Sequence, residues 1–156
     1  MKILFIRTAL VLVAILLILI SLSAGSQAAS CKATEPDMLG PFYKPGAPVR
    51  SSVGMGYVLK GTVKSSKNCS PVPQATIEFW LAGPDREYDD AHRATVIADA
   101  SGSYRFESNV PQPYFGRPPH IHIRVSARGF KTLVTQHYPE GGKSEAVFDL
   151  VLVPSP

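Results

Sequence analysis

RPPHIHIRVS, residues 117–126, decides the fold. From His120 it alternates. Ile121, Ile123 and Val125 fall on one face of an extended chain and His120, His122 and Arg124 on the other, because successive side chains of a strand point to opposite sides. The apolar set belongs to a core. What the histidine face does depends on which other residues reach it.

Similar short runs surround it: YVLKGTV, ATIEFWL, TVIAD, GSYRF, TLVTQHY and AVFDLVLV. They are rich in β-branched and aromatic residues, and turn formers at 68–73, 83–85 and 101–102 separate them. ATIEFWL alternates in the same way, with Ile77, Phe79 and Leu81 against Thr76, Glu78 and Trp80. Seven to eight short strands with no helical period predict an all-β fold, a sandwich of antiparallel strands. Before them, residues 31–52 (including LGPFYKPGAP) hold many prolines and glycines and no period, so they read as an irregular N-terminal arm. There are no internal repeats and no low-complexity segments.

The chain begins differently. Lys2 and Arg7 precede an apolar run from Thr8 to about Ala24, and small residues follow (SAGSQAAS). This reads as a secretory signal peptide over residues 1–28, leaving 29–156 as one domain. The expected location is secreted or periplasmic, with no stable membrane insertion after cleavage. A membrane anchor is the alternative, although the run falls short of the roughly 20 residues that span a bilayer; lipid on Cys31 is a third. Loss of Lys2 and Arg7 takes the basic residues from 16 to 14 against 12 acidic ones. With no lysine or arginine run, this argues against nucleic acid. Cys31 and Cys69 are the smallest set that can form a disulfide in an oxidising compartment, free thiols being the other state. Closing that loop contributes about 4 kcal/mol.

Histidines at i and i+2 of a strand stand about 7 Å apart at their bases, close enough for both rings to bind one ion. A solvated strand face also simply displays polar residues, so the pair alone decides nothing. Tyr114 lies six residues before His120, in the proline-restricted loop PQPYFGRPP. Tyr88 follows the ATIEFWL run, in PDREYDD. A phenol is a poor ligand for most divalent ions, but a hard trivalent ion displaces its proton. Two tyrosines with two histidines suggest ferric iron. Zinc or copper on the histidines, with the tyrosines incidental, is the other metal reading.

With these residues in view, the chain resembles the intradiol ring-cleavage dioxygenases, the family of catechol 1,2- and protocatechuate 3,4-dioxygenases. The resemblance runs through GPFYKPGAP (40–48), LKGTV (59–63), PVPQATIEFWLA (71–82), Tyr88, SGSYRF (101–106) and YFGRPPHIHIRVSARGFKTLVTQHY (114–138). Its most specific part is Tyr-x-x-Arg-x-x-His-x-His. The resemblance implies a mononuclear non-haem Fe(III) on Tyr88, Tyr114, His120 and His122, with Tyr88 and His120 equatorial and Tyr114 and His122 axial. It implies a catechol and dioxygen as substrates and a muconate-type dicarboxylic acid as product. Tyr114 would leave the metal and take up a proton, and Arg117 would stabilise negative charge on the substrate. Gln136 would sit near the oxygen-binding side, and Pro41 and Tyr43 of the GPFY arm would run close to the substrate.

The chain is shorter than the family's dedicated cytosolic enzymes and its loops around Tyr88 and between Tyr114 and Arg117 are compressed, which looks like a short, exported branch. Specificity and oligomeric state are left open. Tyr104 and Trp80 are expected in the core or at an edge, His92 and His137 at the surface. A competing resemblance, to carboxypeptidase-regulatory and transthyretin-like binding sandwiches without iron, covers only the first half of the domain.

Overall fold

The protein's structure, a computed structural model, describes residues 31–156. The signal-peptide reading of residues 1–28 therefore lies outside the described residues. Eight strands follow the arm: β1 (Gly56–Ser65), β2 (Thr76–Trp80), β3 (Arg93–Ile97), β4 (Ser103–Asn109), β5 (Ile121–Ser126), β6 (Leu133–His137), β7 (Glu145–Val147) and β8 (Leu150–Leu152). In one sheet β4 and β7 flank β1, and β8 also pairs with β1; the other sheet runs β3-β2-β5-β6. This is the expected all-β sandwich. The helical content of the described residues is one short 3-10 turn, Asp90–His92, and none of their helices is long and apolar enough to cross a membrane.

Alternation builds the core. Ile77 and Phe79 of β2 and Ile121, Ile123 and Val125 of β5 are fully buried, and they cluster with Leu59 and Val63 of β1 and Phe106 of β4. Phe79 and Phe106 stack across the two sheets with ring centres 4.3 Å apart. Each such side chain contributes about 1.5–3 kcal/mol on burial.

AVFDLVLV departs from antiparallel pairing. It splits into β7 and β8, both parallel to β1. At the break the Phe148 amide donates to the Lys60 carbonyl at 2.8 Å, and the Thr62 amide donates to Asp149 Oδ1 at 2.9 Å. The Phe148 carbonyl accepts from the Tyr104 hydroxyl at 2.6 Å. A Cβ on Gly61 would meet that carbonyl at 2.2 Å, so the step requires glycine.

The arm positions the site. It starts at the Cys31–Cys69 disulfide and runs along the free edge of β6, where the Asp37 amide donates to the Val134 carbonyl (2.9 Å) and Thr135 Oγ1 donates to the Glu35 carbonyl (2.8 Å). It then crosses the outer face of the second sheet. Gln136 Nε2 donates to the Met38 carbonyl at 2.7 Å, the Tyr43 hydroxyl donates to the Glu78 carboxylate at 3.2 Å, and the Thr95 amide donates to the Pro48 carbonyl at 2.7 Å. In register, Glu78 lies opposite Arg124 and Trp80 opposite His122. The polar face that alternation turns outward is thus roofed, and Glu78, His120 and His122 are buried.

Candidate metal centre

His120 stands just before β5 and His122 within it. His120 Nδ1 is 2.7 Å from the Pro118 carbonyl. A carbonyl only accepts, so Nδ1 carries the proton and Nε2 presents a lone pair. That Nε2 lies 3.1 Å from His122 Nε2 and 3.2 Å from the Tyr88 hydroxyl. The His122 ring stacks on Trp80, centres 4.9 Å apart and planes within 5°. Its Nδ1 is buried without a hydrogen-bond partner; the Met38 carbonyl, already engaged by Gln136, exerts only a weak pull on it. The arm passes directly over this ring. A Cβ on Gly40 would come within 2.9 Å of His122 Cε1, and Gly40 has φ +73°, where side chains are strained.

Two loops bring the phenols. Tyr88 precedes the Asp90–His92 turn and stacks on Phe42 of the arm, centres 4.3 Å apart and planes within 9°. Tyr114 meets both rings edge-on, at 5.2 Å from Phe42 and 5.3 Å from Tyr88. Its backbone is fixed to Arg117 by two reciprocal bonds, at 3.3 and 2.8 Å. The turn between them places Phe115 at φ 48° and Gly116 at φ 79°, and Phe115 is 92% exposed. Tyr88, Tyr114, Arg117, His120 and His122 all line one cavity of about 360 Å³, walled also by Pro41 and Phe42. That volume suits one small aromatic ligand.

Burial sets the charge state of the donors. It pushes the Tyr88 phenol up to about 12, with Tyr114 adding to the rise and Arg117 opposing it. It holds His122 down to about 3, aided by the neighbouring His120 and Arg117 and opposed by Asp37. His120 is also held below its ordinary range, by burial first. The result is a neutral phenol at Tyr88 and neutral imidazoles at His120 and His122, groups that a bound cation would convert into ligands.

The donor set fits an ion. Two nitrogens that share one ion at about 2.1 Å, near a right angle, approach each other to roughly 3 Å, and the Nε2 atoms are 3.1 Å apart. Among the described residues no group of three or more His, Cys, Asp or Glu side chains could hold a metal. The phenols of Tyr88 and Tyr114 line the same cavity as the two histidines, and phenolates favour a hard trivalent ion.

Not every residue singled out in the sequence joins this cavity. Tyr43 is absent from its lining; its hydroxyl is committed to Glu78 and its ring packs on Trp80 at 5.1 Å. Pro41 is at the wall and Tyr43 packs away from it. Gln136 also lies outside the lining. It is buried behind Arg117, accepting from Arg117 Nη2 at 2.8 Å, and so positions the arginine. His137, expected at the surface, is buried because it falls on the core side opposite Ile121. Its Nε2 lies 2.7 Å from the Tyr57 hydroxyl. Tyr104 is a core residue, as expected. Sequence reasoning missed Phe42, Trp80 and Tyr138 as site supports. Phe42 sits between two residues that were singled out, and Tyr138 lies two positions after Gln136, on the same side of an extended chain.

The sequence model of a family described as Dioxygenase matches residues 46–152. The chain is similar to the chlorocatechol 1,2-dioxygenase of Pseudomonas sp. (strain P51), with 30% identity over 150 residues, covering 74% of this chain and 59% of that protein. It is similar to the hydroxyquinol 1,2-dioxygenase of Nocardioides simplex, with 33% identity over 142 residues, covering 70% of this chain and 48% of that protein. Among solved structures it matches the dioxygenase domain of a dioxygenase carbohydrate-binding protein fusion from the cellulolytic bacterium Streptomyces sp. SirexAA-E. That match has a TM-score of 0.70 and 28% identity and covers 80% of this chain and 100% of that one. The chain thus spans less than two thirds of the length of these two relatives. The family match takes in both sheets and the cavity residues from Tyr88 to His122, and the chain belongs to the intradiol ring-cleavage dioxygenase family.

Proposed function

We propose that the protein opens a catechol-type ring between its two hydroxyl-bearing carbons, inserting both atoms of dioxygen to give a muconate-type dicarboxylic acid. The observation that carries this reading is the convergence of His120 Nε2, His122 Nε2 and the Tyr88 hydroxyl, at 3.1 and 3.2 Å, on an aromatic-sized cavity. Tyr88, Tyr114, His120 and His122 are the ligands of a mononuclear non-haem Fe(III). Ferric iron, when bound, withdraws electron density from a catecholate so that dioxygen can react at the ring carbon.

The chain's own residues do the rest. The Tyr114 hydroxyl makes no hydrogen bond with the described residues, which leaves its oxygen free to hold the ion and would suit it to take up a substrate proton. Arg117 presents a permanent, planar cation to the negative charge that grows on the ring. Pro41 and Phe42 hold the ring's apolar edge and exclude water. His120 and His122, kept neutral, would hold the ion through their ring nitrogens.

The leader over residues 1–28 and the bridge Cys31–Cys69 support an exported, secreted or periplasmic enzyme, since such bridges persist in oxidising compartments. The test is optical. Tyrosinate on Fe(III) absorbs in the visible, so iron-replete protein is red to purple, anaerobic catechol shifts the colour, and oxygen uptake follows on admitting air. A colourless protein with no stoichiometric iron and no uptake on any catechol sinks this function.

A further inference from the structure

Arg117 is held from behind. Its Nη2 donates to Gln136 Oε1 and to the Tyr138 hydroxyl, each at 2.8 Å. These are its only side-chain partners among the described residues, so Nε and Nη1 stay uncommitted on a side chain that lines the cavity. Tyr138 has one proton to give. Two acceptors stand 2.9 Å from its oxygen, Asp37 Oδ2 and Gln136 Oε1. An ionised carboxylate is the stronger acceptor, and Gln136 Oε1 already takes the Arg117 N–H. The proton points at Asp37. A directed chain results, from the Asp37 carboxylate through the Tyr138 hydroxyl to the Arg117 guanidinium. Asp37 is itself fixed at both ends, its Oδ1 accepting the Met38 amide at 2.7 Å and its amide donating to Val134 at 2.9 Å.

We infer that Tyr138, held by Asp37, is a positioning residue that fixes the aim of Arg117 at the reacting ring, so that the arm roofing the cavity also sets the cation facing the substrate. The inference rests on the catechol reading of the cavity. Binding of the ring relies on the metal and the apolar walls, whereas Arg117 matters most where negative charge grows. A loosened Arg117 therefore costs turnover more than affinity.

Tyr138 is 41% exposed and Tyr138→Phe removes a single oxygen, so the fold survives the change. Iron-loaded wild type, Tyr138→Phe, Asp37→Asn and the double variant are compared by oxygen uptake on catechol and by anaerobic titration with 4-nitrocatechol. Tyr138→Phe lowers kcat about tenfold and Asp37→Asn about threefold, while 4-nitrocatechol affinity stays within about twofold and the visible spectrum of the ligand-free enzyme is unchanged. The double variant matches Tyr138→Phe alone, because Asp37 acts through Tyr138. Wild-type turnover in Tyr138→Phe, an additive double variant, or a shifted spectrum overturns the inference. Wild-type protein that shows neither iron colour nor uptake on any catechol is a separate result, which removes the catechol reading and this inference with it.

Discussion

The outer faces of the two sheets carry similar residues and have different fates. On β1, Lys60 pairs with Glu145 at 2.9 Å, with side chains 43% and 61% exposed, and Lys64 pairs with Asp149 beside it. On the second sheet Arg124 pairs with Glu78 at 2.6 Å, and the Glu78 side chain is only 11% exposed. The first face is solvated. The second lies under the arm, and the same outward direction that makes Lys60 a surface lysine makes His122 a buried donor. A strand's polar face becomes a site when an irregular segment removes the water from it.

The sharpest way to break this contrast is at the site itself. Tyr114→Phe lowers turnover on the order of a thousandfold, in the range for loss of a proton-transferring group, and changes the colour of the iron-loaded protein. Lys64→Ala on the open face leaves turnover within about twofold by the same oxygen-uptake assay. Equal losses in both would deny any functional difference between the faces.

Freeing the start of the arm has the next largest effect. Replacing Cys31 and Cys69 with serine lowers unfolding free energy by about 2–4 kcal/mol, measured by urea denaturation. The spectrum persists at native conditions, because the Asp37, Gln136 and Tyr43 bonds still hold the arm over the sheet.

The ion pairs sharpen the comparison further. Glu78→Ala leaves Arg124 and the Tyr43 hydroxyl without their shared acceptor beneath the arm and costs about 2 kcal/mol. Glu145→Ala on the solvated face costs less than about 0.5 kcal/mol. Thermal melts of the two variants side by side decide it.

The smallest effect is a dependence on pH. Burial works to raise the Asp149 carboxyl, but the Lys64 hydrogen bond, the Thr62 amide and the Lys64 charge outweigh it and hold the group below its ordinary value. A carboxyl lowered in the folded state stabilises the protein above its unfolded value and loses that contribution as pH falls through the folded one. Asp149→Asn is therefore less stable than wild type at pH 7, by under about 1 kcal/mol after solvent screening, and the gap closes in acid. Denaturation midpoints on either side of the carboxylate range measure the closure.

Alternation made the sandwich legible. It separated Ile121, Ile123 and Val125 from His120, His122 and Arg124 without reference to any other part of the chain, and the structure keeps that division. Tyr114, His120 and His122 were legible as residue types at short spacing, and Tyr88, 32 residues before His120, as a tyrosine in the turn-rich segment after ATIEFWL. What covers the outer face was not, because the arm has no period and its path is set by bonds to residues about 100 positions away, such as Thr135 to Glu35. Tyr43 and Gln136 turn aside from the cavity for the same reason, each captured by a distant partner, Glu78 and Met38. His137 was misplaced because β6 begins at Leu133, which puts the histidine in phase with Thr135 on the core side.

The arm also has a history in time. It is the first described part of the chain to leave the ribosome, yet Asp37 waits 101 residues for Tyr138 and Thr34 waits 117 for Val151. Contacts of such separation form late. Until β6 is made, the bonds that hold Glu35, Asp37 and Met38 have no partners, so a nascent chain can carry β1 to β5 and still lack the complete roof over its histidine face.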